Sequence, residues 1–140
     1  MDEALRAAFR ATRYCFESPA GDLALRVDTP NVALRALLRN QQAHSAAVLT
    51  AFNPQAVRRN HPANLAAQAQ LRRDLSAAGF RLLAGRNEDP LRQWVEESFL
   101  VIGIGMTAAR SQAARHDQLA FLWTDAASAT PRLIETAARE

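Results

Sequence analysis

Arginine and amide side chains gather around one predicted junction between a strand and a helix. Residues 53–61 follow an apolar run and contain Arg58 and Arg59, directly before a helix start. Arginine offers forked, permanently charged donors, and the free N–H groups at the start of a helix add donors of their own. Such a set suits an anion, although solvated loop arginines are the simpler interpretation. We therefore predict a small anionic ligand (a nucleotide, a sugar phosphate or a carboxylate), bound by Asn53, Arg58, Arg59 and Asn64.

An acidic segment around Trp94 supplies the second set of candidate residues. Glu96 and Glu97 are neighbours, and adjacent side chains on an extended segment point to opposite faces, so we do not expect both in one site. A carboxylate beside a bound substrate can act as a general base. We take Glu97 as the candidate base of an enzyme, with an asparagine of the first junction orienting the substrate. Trp94 is expected to close over the strand ends and, with Ser98, to line the same pocket.

Several kinds of catalytic group are missing from the chain. All 17 basic residues are arginines, which excludes a Schiff-base lysine and a phosphate-loop lysine. Cys15 is the one cysteine, so neither an intrachain disulfide nor a cysteine zinc site can form. The three histidines lack the spacing of metal ligands, and Gly103-x-Gly105 lacks the third glycine of a dinucleotide-binding turn. We therefore expect no metal and no cofactor, and whether the chain is an enzyme stays open.

The positive charge is unevenly distributed along the chain. Residues 53–92 contain seven arginines and three acids, a net charge of +4 in a chain whose total is +3. A basic helix face can bind nucleic acid or an acidic protein, so an interaction module is a further alternative. Aromatic residues do not alternate with these arginines, so stacking on single strands is not favoured. The arginines concerned are Arg58, Arg59, Arg72, Arg73, Arg81, Arg86 and Arg92.

Alternating and continuous apolar patterns predict the elements that position these residues. Strands with a period of two, or with a short buried run, are predicted at residues 12–17, 23–27, 46–52, 80–84, 99–104 and 120–124. A helix after Pro30 has the buried stripe Leu34, Leu37 and Leu38, and a second helix capped by Asn60 ends at Gly79. A third helix covers residues 107–115. Residues 85–97 are predicted to form a polar loop, and the tail after Pro131 is a helix turn or an edge strand.

The predicted order β-β-α-β-α-β-β-α-β indicates the fold class. We expect an α/β (or α+β) protein in which three helices pack on a mixed sheet of about five to six strands. The length of 140 residues suits a single globular domain over residues 1–140. Because no signal peptide and no run of ~20 apolar residues appears, we expect a cytoplasmic protein without a membrane partner.

Four sequence features together resemble a known family. They are the run Thr50-Ala51-Phe52-Asn53-Pro54, the later Asn64, the segment Trp94-x-Glu96-Glu97-Ser98-Phe99-Leu100-Val101, and Gln118-x-Ala120-Phe121. In this order and spacing they resemble the bacterial family catalogued as domain of unknown function 3293, over roughly residues 12–125. The family name assigns no activity, so the resemblance implies no catalytic residue. It does give weight to the positions that burial alone does not demand, which are Asn53, Asn64, Trp94, Glu97 and Ser98.

Overall fold

One antiparallel sheet with helices on both faces makes up the part of the chain that the computed structural model describes, residues 1–137. The helices are α1 (Glu3–Ala11), α2 (Val32–Asn40), α3 (His61–Ala77) and α4 (Met106–Arg115). The strands are β1 (Arg13–Ser18), β2 (Gly21–Leu25), β3 (Ser45–Leu49), β4 (Arg81–Glu88), β5 (Val95–Ile102), β6 (Ala120–Asp125) and β7 (Arg132–Glu135). The strand order in the sheet is β2-β1-β4-β5-β3-β6-β7.

The predicted order of elements is confirmed in its interior and extended at both ends. Helix α1 precedes it, and β7 follows it as an edge strand, so the described residues contain seven strands and four helices. The expectation of a mixed sheet is wrong, because every neighbouring pair of strands is antiparallel. Alternation identifies a strand but says nothing of its direction. Strand β3 lies between β5 and β6 in the sheet and runs antiparallel to both.

Helix α1 is amphipathic and lies against the sheet without burying a side chain. Asp2 caps it by accepting a hydrogen bond from the backbone N–H of Leu5 at 2.8 Å. Phe9 packs partly buried against one core cluster, and none of the nine helical residues is fully buried. Arg6 pairs with Glu135 of β7 at 3.0 Å, which fastens the helix to the far edge of the sheet. Within residues 1–137, no helix has the length and apolar character that crossing a bilayer requires.

The sheet separates two apolar clusters. Leu34, Leu37 and Leu38 of α2 pack on one face, as the sequence predicts, together with side chains from β1 and β2. Leu71 and Leu75 of α3 pack on the opposite face, beside the buried alanines of α4. Helix α3 also buries two amides, Asn64 and Gln68, at its N-terminal half. Asn60 caps α3 as predicted, and the cap donor is the backbone N–H of Ala63.

Strands β4 and β5 are longer than the sequence predicts, and the polar loop expected at residues 85–97 is largely a hairpin. Strand β4 continues to Glu88, and β5 begins at Val95. Polar residues in this half of the hairpin follow the alternation of a strand, but their low hydrophobicity conceals it. Gly85 allows the close approach of β1, because a Cβ at that position would lie 2.0 Å from the carbonyl oxygen of Cys15.

Candidate functional site

A cavity of about 390 Å³ lies between α1 and the sheet, a volume within the range of small-molecule pockets. Most of its wall is apolar and comes from α1, β1, β3 and β6, with the side chains of Leu5, Phe9, Tyr14, Val48, Ala120 and Leu122. Polar residues enter at one end, from β4 and β5 and from the segments that follow β3, follow β4 and precede β6: Thr50, Asn53, Asn87, Asp89, Glu96 and Gln118. The cavity therefore has an apolar body and a polar end.

The polar end is built on a row of three side chains across neighbouring strands. In the sheet register Tyr14 of β1 lies opposite Asn87 of β4, and Asn87 lies opposite Glu96 of β5. Directly opposed residues of antiparallel strands have Cβ atoms about 4.5–5.5 Å apart on the same face. All three line the cavity. The Tyr14 hydroxyl donates to the carbonyl oxygen of Phe9 at 3.1 Å, and burial raises its pKa, so it stays protonated.

Asn53 and Asn64 hold each other in a buried pair directly behind this end of the cavity. The backbone N–H of Asn53 donates to Oδ1 of Asn64 at 2.8 Å, and Nδ2 of Asn64 donates to Oδ1 of Asn53 at 2.9 Å. Arg59 completes the cluster, because its Nε donates to Oδ1 of Asn64 at 3.0 Å and its Nη2 donates to the carbonyl oxygen of Ala51 at 3.1 Å. Asn64 therefore fixes the start of the Asn53-Pro54 segment through two hydrogen bonds.

The same asparagine pair fixes the Glu96 carboxylate. Nδ2 of Asn53 donates to Oε2 of Glu96 at 2.9 Å, so a chain of hydrogen bonds runs from Arg59 through two amides to the carboxylate. Burial raises the pKa of Glu96, while the side chains of Asn53 and Trp94 and the charge of Arg58 favour its ionised form. Glu96 is therefore a desolvated carboxyl whose position is set by the chain around it.

Ser98 acts on the cavity through Asn87. Its side chain is buried, at 1% exposure, and its hydroxyl donates to Oδ1 of Asn87 at 2.7 Å. This bond fixes which end of the Asn87 amide faces the hydroxyl. The sequence places Ser98 in the pocket lining, whereas the structure places it one side chain behind, where it orients a residue that does line the cavity.

The segment after β3 reaches the cavity through strained backbone. Asn53, Gln55 and Ala56 all have positive φ angles, of 49°, 58° and 60°. Left-handed backbone is costly for side chains other than glycine, and asparagine tolerates it best. Asn53 and Ala56 line the cavity. Backbone in such conformations is found disproportionately at functional sites, where the surrounding contacts enforce it.

The arginines predicted to bind an anion do not line the cavity. The Arg58 guanidinium carbon lies 4.4 Å from the ring centroid of Trp94, and its Nη2 donates to the carbonyl oxygen of Gln93 at 3.2 Å. Arg59 is engaged by the asparagine pair. Trp94 itself lines the cavity, as predicted, and Arg58 packs on its ring.

Glu97 does not lie where a general base of this cavity would lie. It is exposed, and the alternation of β5 places its side chain on the face opposite to Glu96. The choice of Glu97 over Glu96 is therefore wrong in its geometry. The strand begins at Val95 and not at residue 99 as predicted, and it puts Glu96, Ser98 and the buried Leu100 on one face.

The charges around the cavity are acidic. Asp89 and Glu96 are the charged side chains of its described lining, which contains neither arginine nor histidine. Asp89 accepts the backbone N–H of Trp94 at 2.7 Å. Nowhere in residues 1–137 do three or more His, Cys, Asp or Glu side chains come together as a metal site. The cavity therefore offers acceptors for a hydrogen-bond donor or a cation.

Two residues of the polar end were missed in the sequence. Asn87 falls in the segment predicted as loop, and the candidate base predicted from the sequence is Glu97, the neighbour of Glu96. Extending the alternation of β4 from Leu83 through Gly85 would place Asn87 on the same face. The pairing of Asn87 with Glu96 depends on the hairpin register, which no local sequence pattern supplies.

A comparison with protein families identifies the family of this chain. A family model described as "Protein of unknown function (DUF3293)" matches residues 49–121, just over half of the chain. The matched segment runs from the last residue of β3 into β6, and it contains Asn53, Asn87, Glu96 and Gln118. Helix α1, which closes the cavity, precedes it. Comparisons with curated proteins and with solved structures returned no match.

Proposed function

Since this chain belongs to the DUF3293 family, whose description assigns no function, we propose one from the cavity: the protein binds a small organic molecule with an apolar body and one polar end. The observation that carries this proposal is a largely apolar cavity of about 390 Å³ whose polar end holds a fixed, desolvated carboxylate. Ligand pockets combine these two properties, because apolar walls supply affinity and a few placed polar groups supply orientation.

The apolar body of the ligand would lie against α1 and the central strands. Phe9 and Leu5 approach from the helix, and Val48, Ala120 and Leu122 approach from the sheet. Burying apolar ligand surface there contributes about 25 cal/mol per Å². Helix α1 buries no side chain of its own, so the volume beneath it is free for a ligand.

The polar end favours a hydrogen-bond donor over an anion. An anion would meet Asp89 and Glu96, and the two arginines nearest to the site are engaged by Trp94 and by the asparagine pair. The anionic ligand predicted from the sequence stays the competing proposal. A carboxylate probe in the experiment below decides between them.

Proton transfer is a second candidate function, and the position of Glu96 favours it. A carboxyl that is desolvated and held by one oxygen can accept a proton from a ligand placed beside the other oxygen. An enzyme built on this cavity would use Glu96 in the role that the sequence assigns to Glu97. Its substrate would be a small molecule with an acidic C–H, N–H or O–H group at its polar end.

The interaction module, which would bind nucleic acid or an acidic protein through a basic helix face, stays a prediction. Of the seven arginines that suggested it, Arg72 and Arg73 lie on α3, while Arg86 and Arg92 pair with Glu88 on the sheet. The Arg72 guanidinium carbon lies 4.8 Å from the ring centroid of Phe99. These arginines are therefore spread over several elements and do not form one helix face.

The proposal is tested by filling the cavity from its helical wall. Ala8 lines the cavity and is exposed on α1, so Ala8→Phe places a ring in the cavity without disturbing the core. Ala7 is exposed on the same helix outside the lining, and Ala7→Phe is the matched control. Toluene, benzamide, benzoate and benzamidine are titrated against each ¹⁵N-labelled protein, and amide shifts in α1, β4 and β5 are followed.

We expect at least one of these probes to shift amides around the cavity in the wild type and in Ala7→Phe, and not in Ala8→Phe. No shift from any probe would overturn the proposal. Equal binding to Ala8→Phe would also overturn it, because the probe would then bind elsewhere. Benzoate binding more tightly than the other probes would instead support the anionic ligand.

A further inference from the structure

Asn87 and Glu96 present one unused atom each at the polar end of the cavity. They lie opposite each other across β4 and β5 and line the same wall. Asn87 is 7% exposed and Glu96 is half-buried, so both are largely shielded from bulk water. Polar groups shielded in this way need partners, and those that face a cavity are available to a ligand.

The unused atom of Asn87 is a donor. Its Oδ1 accepts the Ser98 hydroxyl at 2.7 Å, which directs the NH2 group away from Ser98. Nδ2 of Asn87 has no hydrogen-bond partner within residues 1–137. A side-chain amide carries two donors on that nitrogen, so both remain available.

The unused atom of Glu96 is an acceptor. Oε2 accepts Nδ2 of Asn53 at 2.9 Å, and the Trp94 side chain also lies close enough to the carboxylate to lower its pKa. In the described part of the chain, no hydrogen bond of normal geometry reaches Oε1. Asn53 is itself fixed by Asn64 and by the backbone N–H of Arg59, which donates to its Oδ1 at 3.0 Å. The buried amide pair therefore fixes which Glu96 oxygen is left over.

Three other polar side chains of this end use their donors within the chain. The Tyr14 hydroxyl donates to the carbonyl of Phe9, Nε2 of Gln118 to the carbonyl of Phe52, and the Thr50 hydroxyl to the carbonyl of Glu97. Each of these contacts is between 2.6 and 3.1 Å. Asn87 thus supplies a free amide donor beside the free oxygen of Glu96.

Building on the proposed function, we propose that Asn87 and Glu96 together recognise the amide edge of the ligand, which is a primary or cyclic carboxamide attached to an apolar or aromatic body. The carbonyl oxygen of the ligand accepts Nδ2 of Asn87, and its N–H donates to Oε1 of Glu96. A carboxylate ligand would place an acceptor against Glu96, and an amidine would place a donor against Asn87. Either mismatch leaves a buried polar group unpartnered, which is more costly than the loss of one hydrogen bond.

The four phenyl probes separate this inference from the proposed function, because they share one ring and differ at the polar end. In the wild type we expect benzamide to bind more tightly than benzoate, with a dissociation constant about tenfold lower, a difference of about 1.4 kcal/mol. Toluene tests the apolar body alone. If toluene binds and benzamide is no tighter than toluene or benzoate, the amide inference fails while the proposed function stands. If none of the four binds, the proposed function fails.

Substitution of Glu96 reverses the expected preference. In Glu96→Gln, Asn53 still donates to the side-chain oxygen of residue 96, so the new NH2 group faces the cavity beside Asn87. The two donors then suit the carboxylate of benzoate, which we expect to bind more tightly than benzamide. Asn87→Asp gives two acceptors, which suit benzamidine, and it provides a second variant where the first does not fold. The exposed Glu97→Gln is the matched control and keeps the wild-type order of binding. Variants that fold and keep that order would overturn the inference.

Ser98 is a positioning residue in this scheme. Ser98→Ala removes the bond that orients the Asn87 amide, so its oxygen and nitrogen can exchange places. We expect the preference for benzamide over benzoate to shrink severalfold, while toluene binding stays unchanged. A role of Ser98 in stability alone would weaken all four probes equally, and that result would contradict the assignment.

Discussion

Helices α3 and α1 cover opposite faces of the same sheet in different ways. Helix α3 buries Asn64, Gln68, Leu71 and Leu75, so its contact face is filled with side chains. Helix α1 buries none of its residues, and its apolar side borders a cavity of about 390 Å³. One helix is part of the core, and the other is one wall of a cavity.

The difference extends to the polar groups on each side. On the α3 side, the side chains of Asn64 and Arg59 bond to Asn53 or to backbone carbonyls within the chain. On the α1 side, Asn87 and Glu96 each keep one polar atom without a described partner. Asn53, Asn64 and Arg59 bond to one another, although Nε2 of Gln68 on the same helix has no partner within residues 1–137. Mutual bonding stabilises and orients a cluster, whereas polar atoms that face a cavity are suited to recognition. The buried asparagines therefore serve the cavity indirectly, by fixing the carboxylate that faces it.

Truncation of one leucine on each helix gives the largest contrast between the two sides. Leu71 is 1% exposed in the core beneath α3, so Leu71→Ala should lower the free energy of unfolding by about 2–5 kcal/mol. Leu5 of α1 borders the cavity and is not fully buried, so Leu5→Ala should cost less than about 1 kcal/mol. Urea unfolding of both variants measures the difference. Equal losses would show that α1 is as much a part of the core as α3.

Removal of the buried amide should have a smaller effect on stability. Asn64→Ala leaves the backbone N–H and Oδ1 of Asn53 without these partners, and an unsatisfied buried group costs about 1–3 kcal/mol. Gln70→Ala on the exposed side of α3 is the control, with an expected change of about 0.5 kcal/mol or less. Denaturation midpoints of both variants test the prediction. A loss no larger than that of the control would mean that water replaces Asn64 freely.

The smallest effects are opposite pH dependences of two carboxyls on neighbouring strands. Burial raises the pKa of Glu96, so the folded state holds its proton more tightly, and the contribution to stability falls as pH rises from the ordinary value of 4.5 through the raised value. The bond from Arg86 lowers the pKa of Glu88, so its contribution is lost as pH falls through the lowered value.

Unfolding free energies of Glu96→Gln and Glu88→Gln, measured against the wild type between about pH 3 and about pH 8, separate the two carboxyls. Compared with the wild type, Glu96→Gln should lose less stability as the pH rises, and Glu88→Gln should lose less stability as the pH falls. If both variants changed the pH dependence of stability in the same direction, the placement of Glu96 in a desolvated site would be contradicted.

Much of the fold could be predicted from local patterns. The stripe Leu34, Leu37 and Leu38, the cap at Asn60 and the buried run in β3 are signals that a few neighbouring residues carry. The structure departs from the prediction where the cause is not local. Helix α1 has no buried residue to mark it, and the antiparallel direction of β3 depends on strands that are distant in sequence.

The candidate site shows the same division. Asn53, Asn64 and Trp94 could be picked out because a polar or aromatic residue at a strand end or on a buried helix face is unusual. Glu96 and Asn87 could not, because they come together through the register of a hairpin whose strands look like polar loop in the sequence. The prediction that Arg58 and Arg59 bind an anion has a related weakness. The sequence shows their charge, but it does not show the side chains and carbonyl oxygens that they contact in the fold.

The hairpin of β4 and β5 should tolerate inserted residues at its tip but not inserted or deleted residues within its strands. Asn87 lies opposite Glu96 because the ladder fixes the register, and a shift by one residue turns every side chain of a strand to the other face. Deletion of Ser98 would therefore send Glu96 to the outer face and empty the polar end of the cavity. A residue inserted in the exposed tip, at positions 91–93, leaves the ladder intact. We expect related chains to differ in length at this tip and to keep the spacing between Glu96 and the core residues of β5.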